Sequence, residues 1–290
     1  MREEKIVSGI VLYNPEIERL QQNIEAILPQ VDRIILFNNG SVNIKKIKYL
    51  IKKYNKGKIE LLEAKNNEGV AKALNEISKV AYKENFQWLL TLDQDTVVKG
   101  NLINIYRRYL KLPNLGQLSC DYQDVNLPTK KQDKFAKDNM IKNVRKCITS
   151  GTLININALK EVGGFDEKLF IDKVDDDISY LLREKGYCNY KINVLGMMHE
   201  LGKIKKKEIF GKEVMTSNYN AFRRYYIARN NIIISRRYAN EESMKQNLID
   251  QLKEWILILL FEDDKLNKSK AITRGIYDGI KSDSKRKRYF

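Results

Sequence analysis

Residues 88–95 read Trp88-Leu89-Leu90-Thr91-Leu92-Asp93-Gln94-Asp95, five uncharged residues running straight into two carboxylates. An apolar run this short reads as a strand buried on both faces, and the switch to acid marks its carboxyl end. Three such runs precede it, at 6–12, 34–37 and 59–62. Between them the period changes to that of helices. Ile17, Leu20, Ile24, Ile27 and Leu28 share one face behind Pro15, and Ile44, Ile47, Leu50 and Ile51 share another. Val70, Leu74, Ile77 and Ala81 form a third stripe in a helix expected over 69–83. Asn38-Asn39-Gly40-Ser41 supplies a strong turn after the second strand. Repeated strand–helix–strand units predict an α/β fold with a mainly parallel sheet covered by helices on both faces.

Beyond Asp95 the pattern loosens. Residues 118–146 are polar and lysine-rich and read mostly as loop. Ser150-Gly151-Thr152 leads into an apolar stretch, and Gly163-Gly164 breaks the chain before Phe165. A helix is expected over 175–185 with Gly186 as its stop, then a last strand over 190–194. From about residue 219 onward the chain reads as helical.

Composition narrows the class. With 290 residues, 43% of them hydrophobic, the chain can bury enough surface to offset its ordering entropy, so disorder is excluded. Cys120, Cys147 and Cys188 are too few for a disulfide scaffold and lack metal-ligand spacing, which predicts reduced, mostly buried thiols. The amino-terminal apolar run is broken at once by Tyr13-Asn14-Pro15, so it does not read as a secretory signal. The longest apolar run, 255–261, falls short of the roughly 20 residues a bilayer span needs. A cytoplasmic protein is expected. The net charge of +16 is uneven: residues 201–290 hold 21 Lys and Arg against 11 Asp and Glu. A basic end finishing Lys285-Arg286-Lys287-Arg288 either draws polyanions or frays in solvent.

Three features can carry chemistry. Ligands of open parallel sheets bind beyond the strands' carboxyl ends, where Asp93 and Asp95 stand. Two carboxylates one residue apart suit Mg2+ or Mn2+, although an Asp-rich loop capping a helix has the same spelling. His199 is the only histidine; it is either a hydrogen-bonded structural residue or a third ligand. Asp172-Lys173-Val174-Asp175-Asp176-Asp177 sets four carboxylates within six positions, which favours a helix start or supplies a general base. With one His and no Gly-X-Ser-X-Gly, a serine hydrolase is excluded, and neither a phosphate-binding Walker motif nor Gly-X-Gly-X-X-Gly is present. No nucleic-acid-binding motif is present either, so nucleic acid is not an expected partner.

The order of motifs resembles that of inverting family 2 glycosyltransferases of the GT-A fold, in their rhamnosyltransferase-like branch. The resemblance runs over roughly residues 6–237. It rests on Val11-Leu12-Tyr13-Asn14-Pro15, Asn38-Asn39-Gly40-Ser41, Asn67-Glu68-Gly69-Val70-Ala71-Lys72-Ala73-Leu74-Asn75 and Leu90-Thr91-Leu92-Asp93-Gln94-Asp95-Thr96. It continues through Ser150-Gly151-Thr152, Gly163-Gly164-Phe165-Asp166-Glu167, Phe170-Ile171-Asp172-Lys173-Val174-Asp175, His199-Glu200-Leu201-Gly202 and Arg224-Tyr225-Tyr226-Ile227-Ala228-Arg229-Asn230. Each motif is loose; nine in this order are specific to the superfamily.

That resemblance implies a GT-A catalytic domain over 1–218, with a nucleotide half to about 98 and an acceptor half from 99, and a basic helical extension over 219–290. It implies that Leu12, Tyr13, Asn38, Asn39, Asn67, Gly69, Lys72, Asp93 and Gln94 line the nucleotide-sugar donor. Asp95 and His199 would hold Mn2+ or Mg2+, and Asp175 would be the base. Gly151, Asp172, Asp177 and Arg229 would meet the donor sugar or the acceptor. The sequence departs from the family with Asn at 38, where Asp is usual, and in the positions after the base, around Asp176-Asp177-Ile178.

The implied activity is metal-dependent inverting transfer, foremost of L-rhamnose from a dTDP donor to a glycan or lipid-linked acceptor in bacterial surface polysaccharide synthesis. Within the class the alternative is a UDP-hexose donor. From another class, the alternative is a basic nucleic-acid or membrane-binding module with a degenerate transfer site. In the extension, residues 248–261 are apolar on nearly every side, which predicts burial in the core or a homodimer first. Contact with an anionic membrane surface at the inner face of the plasma membrane comes second, favoured by the neighbouring lysines and arginines.

Overall fold

The structure, a computed structural model, describes residues 4–55, 57–124, 141–199, 205–209 and 212–290. The strands and helices of the first half follow the sequence periods. They run β1 (Ile6–Leu12), α1 (Ile17–Ile27), β2 (Arg33–Asn39), α2 (Ile44–Ile51), β3 (Ile59–Ala64), α3 (Val70–Lys83) and β4 (Trp88–Asp93). Strands β3, β2, β1 and β4 lie side by side in that order, all parallel. Alternation along them separates two cores. Ile6, Ile10, Leu12, Ile34, Leu36, Leu90 and Leu92 pack with Leu20, Ile24 and Ile27 of α1 and Ile47 and Leu50 of α2. Val7, Ile35, Phe37 and Leu89 point the other way, onto Ala73, Ile77 and Ala81 of α3. A strand with helices on both sides needs apolar residues at every position, which is why these strands read as continuous apolar runs.

The sheet continues through β5 (Val97–Val98), β6 (Leu115–Asp124), β7 (Ile141–Asn143), β8 (Thr152–Asn155) and β9 (Cys188–His199), with α4 (Leu102–Arg107), α5 (Ile156–Glu161) and α6 (Val174–Glu184) between them. The order is β3-β2-β1-β4-β8-β6-β9-β5, and β7 pairs with β9. Here β8 runs antiparallel to both β4 and β6. The loop expected over 118–146 is therefore corrected at its ends: β6 and β7 are strands, and residues 125–140 lie outside the described set. Strand β6 has polar residues throughout, yet Gln117, Ser119 and Cys120 are buried, because β8 and β9 flank it. Its burial comes from neighbours in space, which local hydropathy does not encode. Strand β9 is also longer than the expected 190–194.

The chain divides into two compact units, one of Met1–Lys168, Val174–Glu200 and Arg288–Phe290, the other of Leu169–Lys173 and Leu201–Lys287. The second unit holds the hairpin β10 (Lys205–Ile209) and β11 (Lys212–Thr216), then α7 (Ala221–Arg237), α8 (Met244–Phe261) and α9 (Lys265–Lys281). Its α7 and α9 approach closely: a Cβ at Gly275 would stand 2.4 Å from the Tyr225 carbonyl oxygen, so only glycine fits there. At its centre Arg224, 3% exposed, meets Glu254 at 2.7 Å and Glu262 at 2.8 Å, and Lys268 meets Glu262 at 2.9 Å. The helical reading beyond 219 stops at Lys281, after which no regular structure follows. Residues Arg288–Phe290 belong to the first unit, where the Tyr289 amide donates to Gly163 O and its hydroxyl to Asp166.

The all-round apolar helix is not buried in a core of this chain. Leu248, Ile249, Leu252, Ile256, Leu259 and Leu260 of α8 are exposed, and only Gln251 and Ile258 are buried. No helix among the described residues is long and apolar enough to cross a membrane.

Candidate active site

Strand order reverses at β1, whose neighbours are β2 on one side and β4 on the other. Ligands of open α/β sheets bind at such a switch point, outside the carboxyl ends. Leu12 and Tyr13 stand at the end of β1; Asp93, Gln94 and Asp95 stand at the end of β4. Gln94 bridges the two ends: its Oε1 accepts the Tyr13 amide at 2.8 Å and its Nε2 donates to the Tyr13 carbonyl at 3.3 Å. The Tyr13 ring is left half exposed, and Leu12 is buried in the core.

The acidic turn is held by its backbone. Asn23 of α1 donates to Asp93 O at 2.8 Å and Arg19 of α1 donates to Asp95 O at 2.7 Å. From the other side, Ser150 Oγ accepts the Asp93 amide at 3.0 Å and shares a hydrogen bond of 2.7 Å with Thr96 Oγ1. Gly151 lies behind it at φ +76°, its amide on Thr91 O and its carbonyl taking the Tyr106 hydroxyl at 2.6 Å. A Cβ there would come within 2.4 Å of Met197 Sδ. With their backbones so fixed, Asp93 and Asp95 keep half-buried carboxylates at the end of the sheet. Arg19, Asn23 and Ser150 are placed here by the fold. The one local signal is Asn23, a polar residue inside the stripe of Leu20, Ile24 and Ile27, fully buried.

The turn residues after β2 and β3 hold each other. Asn38 and Asn39 are buried; Asn38 Oδ1 accepts the Ser41 amide at 3.1 Å. Asn39 Nδ2 donates to Asn67 Oδ1 at 3.0 Å, and Asn39 Oδ1 accepts the Glu68 amide at 2.8 Å. Asn67 Oδ1 in turn accepts the Gly69 amide, fixing the start of α3. Lys72 is paired to Glu68 at 2.8 Å, and that hydrogen bond holds its ammonium above the usual lysine range.

His199 closes β9. Met198 pairs with Val97 of β5, so the backbone brings the end of β9 beside the segment that follows Asp95. The His199 side chain lies outside the described atoms, as do Glu200 and the two residues after it. Among the described residues no three His, Cys, Asp or Glu side chains converge on a metal-sized point. Asp95 and His199 nevertheless stand on neighbouring chain ends, and a carboxylate with an imidazole suits a Mn2+-like cation.

The four carboxylates of 172–177 differ. Asp172 is gripped by Arg223 at 2.9 and 3.2 Å. Asp176 is buried and paired to Lys146 at 3.0 Å, and Asp177 is fully buried. Asp175, like Asp172, is partly exposed; it stands in the first turn of α6, its Oδ1 accepting the Asp176 amide at 3.0 Å. Arg229 of α7 lies over the Tyr226 ring at 4.6 Å and donates to Asn230 Oδ1 and Leu169 O. The thiols of Cys120 and Cys147 are pushed up by burial to about 11 and about 12, so neither is a nucleophile at neutral pH.

The model of glycosyl transferase family 2 matches residues 9–158, from inside β1 to inside α5. The chain belongs to that family. A relative from Shigella flexneri, dTDP-rhamnosyl transferase RfbF, is 25% identical over 95% of both chains. Among solved structures, the mannosyltransferase PcManGT of Pyrobaculum calidifontis, in complex with GDP-Man and Mn2+, matches with a TM-score of 0.59 and 13% identity. That match covers 97% of this chain and 77% of that one. GalNAc-T7 with UDP, GalNAc and Mn2+ matches with a TM-score of 0.56 and 14% identity over 80% of this chain. This chain spans about half of that longer one, 51%. At such identities the structural likeness is one of fold, and the fold of this family 2 glycosyltransferase is the α/β GT-A fold, with its C-terminal helices added.

Proposed function

We propose that this glycosyltransferase moves L-rhamnose from a dTDP donor to a glycan or lipid-linked acceptor, with inversion, in the assembly of a bacterial surface polysaccharide. What carries the reading is the held acidic turn at the sheet's switch point, in a chain related over nearly its whole length to a dTDP-rhamnosyl transferase. The donor's nucleoside lies along Leu12, Tyr13 and the start of α3. Asp93 faces its sugar ring. Asp95 and His199 would hold a divalent cation, Mn2+ or Mg2+, and the chemistry it would supply there is charge neutralisation of the leaving diphosphate. Asp175 takes the proton of the acceptor hydroxyl as its oxygen bonds to the anomeric carbon and the bond to the diphosphate breaks. One displacement suffices, so no covalent enzyme intermediate forms. Gly151 and Asp177 brace the ground around the sugars from within the catalytic unit, while Asp172 and Arg229 hold the loop 169–173 of the helical unit.

Calorimetric titration with dTDP-rhamnose, UDP-glucose, UDP-galactose and GDP-mannose, with and without Mn2+, tests this. Metal-dependent binding of the dTDP donor alone is expected. Selective binding of a UDP donor overturns the sugar, and binding of none overturns a donor site formed in the free protein, leaving a lost active site or one that forms only with acceptor present.

The acceptor's chemistry has support in the second unit. The six exposed apolar residues of α8 lie on one side of that helix, flanked by Lys245 and Lys253. The outward face of α9 mixes exposed Leu266, Tyr277 and Ile280 with Lys270, Arg274 and Lys281. Apolar side chains interleaved with Tyr and cations suit an anionic membrane surface, which a lipid-linked acceptor at the cytoplasmic leaflet would present. Co-sedimentation with vesicles of mixed anionic and zwitterionic lipid, against purely zwitterionic ones, reads this out. Leu252→Glu with Ile256→Glu is expected to cut binding by roughly tenfold or more, since burying each aliphatic side chain contributes about 1.5–3 kcal/mol. A concentration-dependent dimer lost in the same variant, with no vesicle binding, assigns the face to a second copy instead.

A further inference from the structure

Residues Leu169–Lys173 are enclosed in sequence by the catalytic unit, yet they pack as part of the helical unit. Three of these five, none of them glycine, hold left-handed backbone: Phe170 at φ 62°, Asp172 at 63° and Lys173 at 65°. Side chains other than Asn and Asp rarely adopt that region, and such strain persists only where the surroundings over-determine it. The surroundings here are one face of α7. Asn230, fully buried, aims its Nδ2 at three carbonyl oxygens, those of Leu169 (2.8 Å), Ile171 (2.8 Å) and Asp172 (2.9 Å). Its own Oδ1 is fixed by Arg229 Nε at 3.0 Å. Arg223 forks onto the Asp172 carboxylate, and the Phe170 ring stacks on Tyr226 at 4.9 Å with Phe222 edge-on at 5.7 Å. An amide nitrogen has two hydrogens, so three carbonyls converge on it only because the loop is folded around it. Helix α6 starts at Val174, directly after Lys173, and Asp175 is its second residue.

We propose that Asn230 is a positioning residue: it locks the left-handed loop 169–173, and the locked loop sets the first turn of α6 and so the direction of the Asp175 carboxylate. This deepens the reading of Asp175 as the base and rests on it.

The test is suppression. Asn230→Ala is expected to lower kcat by about 10–100-fold with the donor KM nearly unchanged, because a misplacement of about 1 Å has that effect on rate. Glycine adopts left-handed backbone without strain, so Lys173→Gly placed in the Asn230→Ala protein should restore most of the lost kcat. By itself Lys173→Gly should leave activity near that of the parent and raise Tm by about 1–4 °C. Failure of the glycine to rescue a folded Asn230→Ala protein, or a lowered Tm in Lys173→Gly alone, overturns the clamp. The Tm reading needs no folded Asn230→Ala protein. If Asp175→Asn stays fully active while suppression holds, the base assignment fails and the clamp stands, acting on another group of the loop.

Discussion

Asp175→Asn is expected to lower kcat by about 10²–10⁴-fold while the donor binds as before. The amide matches the carboxylate in size but cannot accept a proton at neutral pH. Its neighbours do not substitute for it. Asp172 is held by the Arg223 fork, Asp176 by Lys146, and Asp177 is fully buried, so each already serves the local structure. The Asp175 Oδ1 that caps the Asp176 amide is kept in Asn, because the amide oxygen still accepts. Loss of fold is therefore not an expected cause of lost rate. The measurement is kcat with saturating donor and acceptor, beside calorimetric donor affinity with Mn2+. Full activity in Asp175→Asn would remove this residue from the chemistry.

The largest expected effect on stability is at Glu262. Its side chain, 1% exposed, lies between the guanidinium of Arg224 and the ammonium of Lys268, themselves 3% and 4% exposed. Glu262→Gln keeps the shape and removes the charge, leaving two buried cations with one fewer anion. Arg224 retains Glu254, while Lys268 is left with a neutral acceptor, the side-chain Oδ1 of Asn218 at 2.9 Å. Breaking a buried pair by removing one partner costs about 3–5 kcal/mol, since the remaining charge stays out of water uncompensated. The helical unit should melt lower by on the order of 10 °C. Glu254→Gln is the control: its side chain is 43% exposed, so water and salt screen the pair and the cost is at most about 1 kcal/mol. Equal losses from the two variants would show that burial does not set the strength of this network.

The parallel half of the sheet could be read from the chain alone. Strands β1 to β4 and helices α1 to α3 repeat periods of two and of 3.6 that follow from which side of each element meets water. The acidic turn after β4 was legible for the same reason, since a strand that ends in carboxylates announces where the sheet opens. Strand β6 was not legible: Gln117 and Ser119 are buried by β8 and β9, and nothing in residues 115–124 encodes those partners. Helix α8 is the opposite case: its apolar content alone reads as burial, in the core or against a second copy, and within this chain six of its large side chains face outward.

The motif Arg224-Tyr225-Tyr226-Ile227-Ala228-Arg229-Asn230 shows the division most clearly. Its presence in the sequence pointed to Arg229 as a contact for substrate. In the structure Asn230 gathers three loop carbonyls some sixty residues back, and Arg229 steadies Asn230. Sequence by itself determined the periodic elements, the family and the place where the sheet opens, because solvent exclusion is written locally along the chain. Tertiary structure alone decided which carboxylates are neutralised and what holds the acidic turn and the strained loop. Those interactions join residues 30 to 76 positions apart, and a short-range force acts between them only after folding has brought them together.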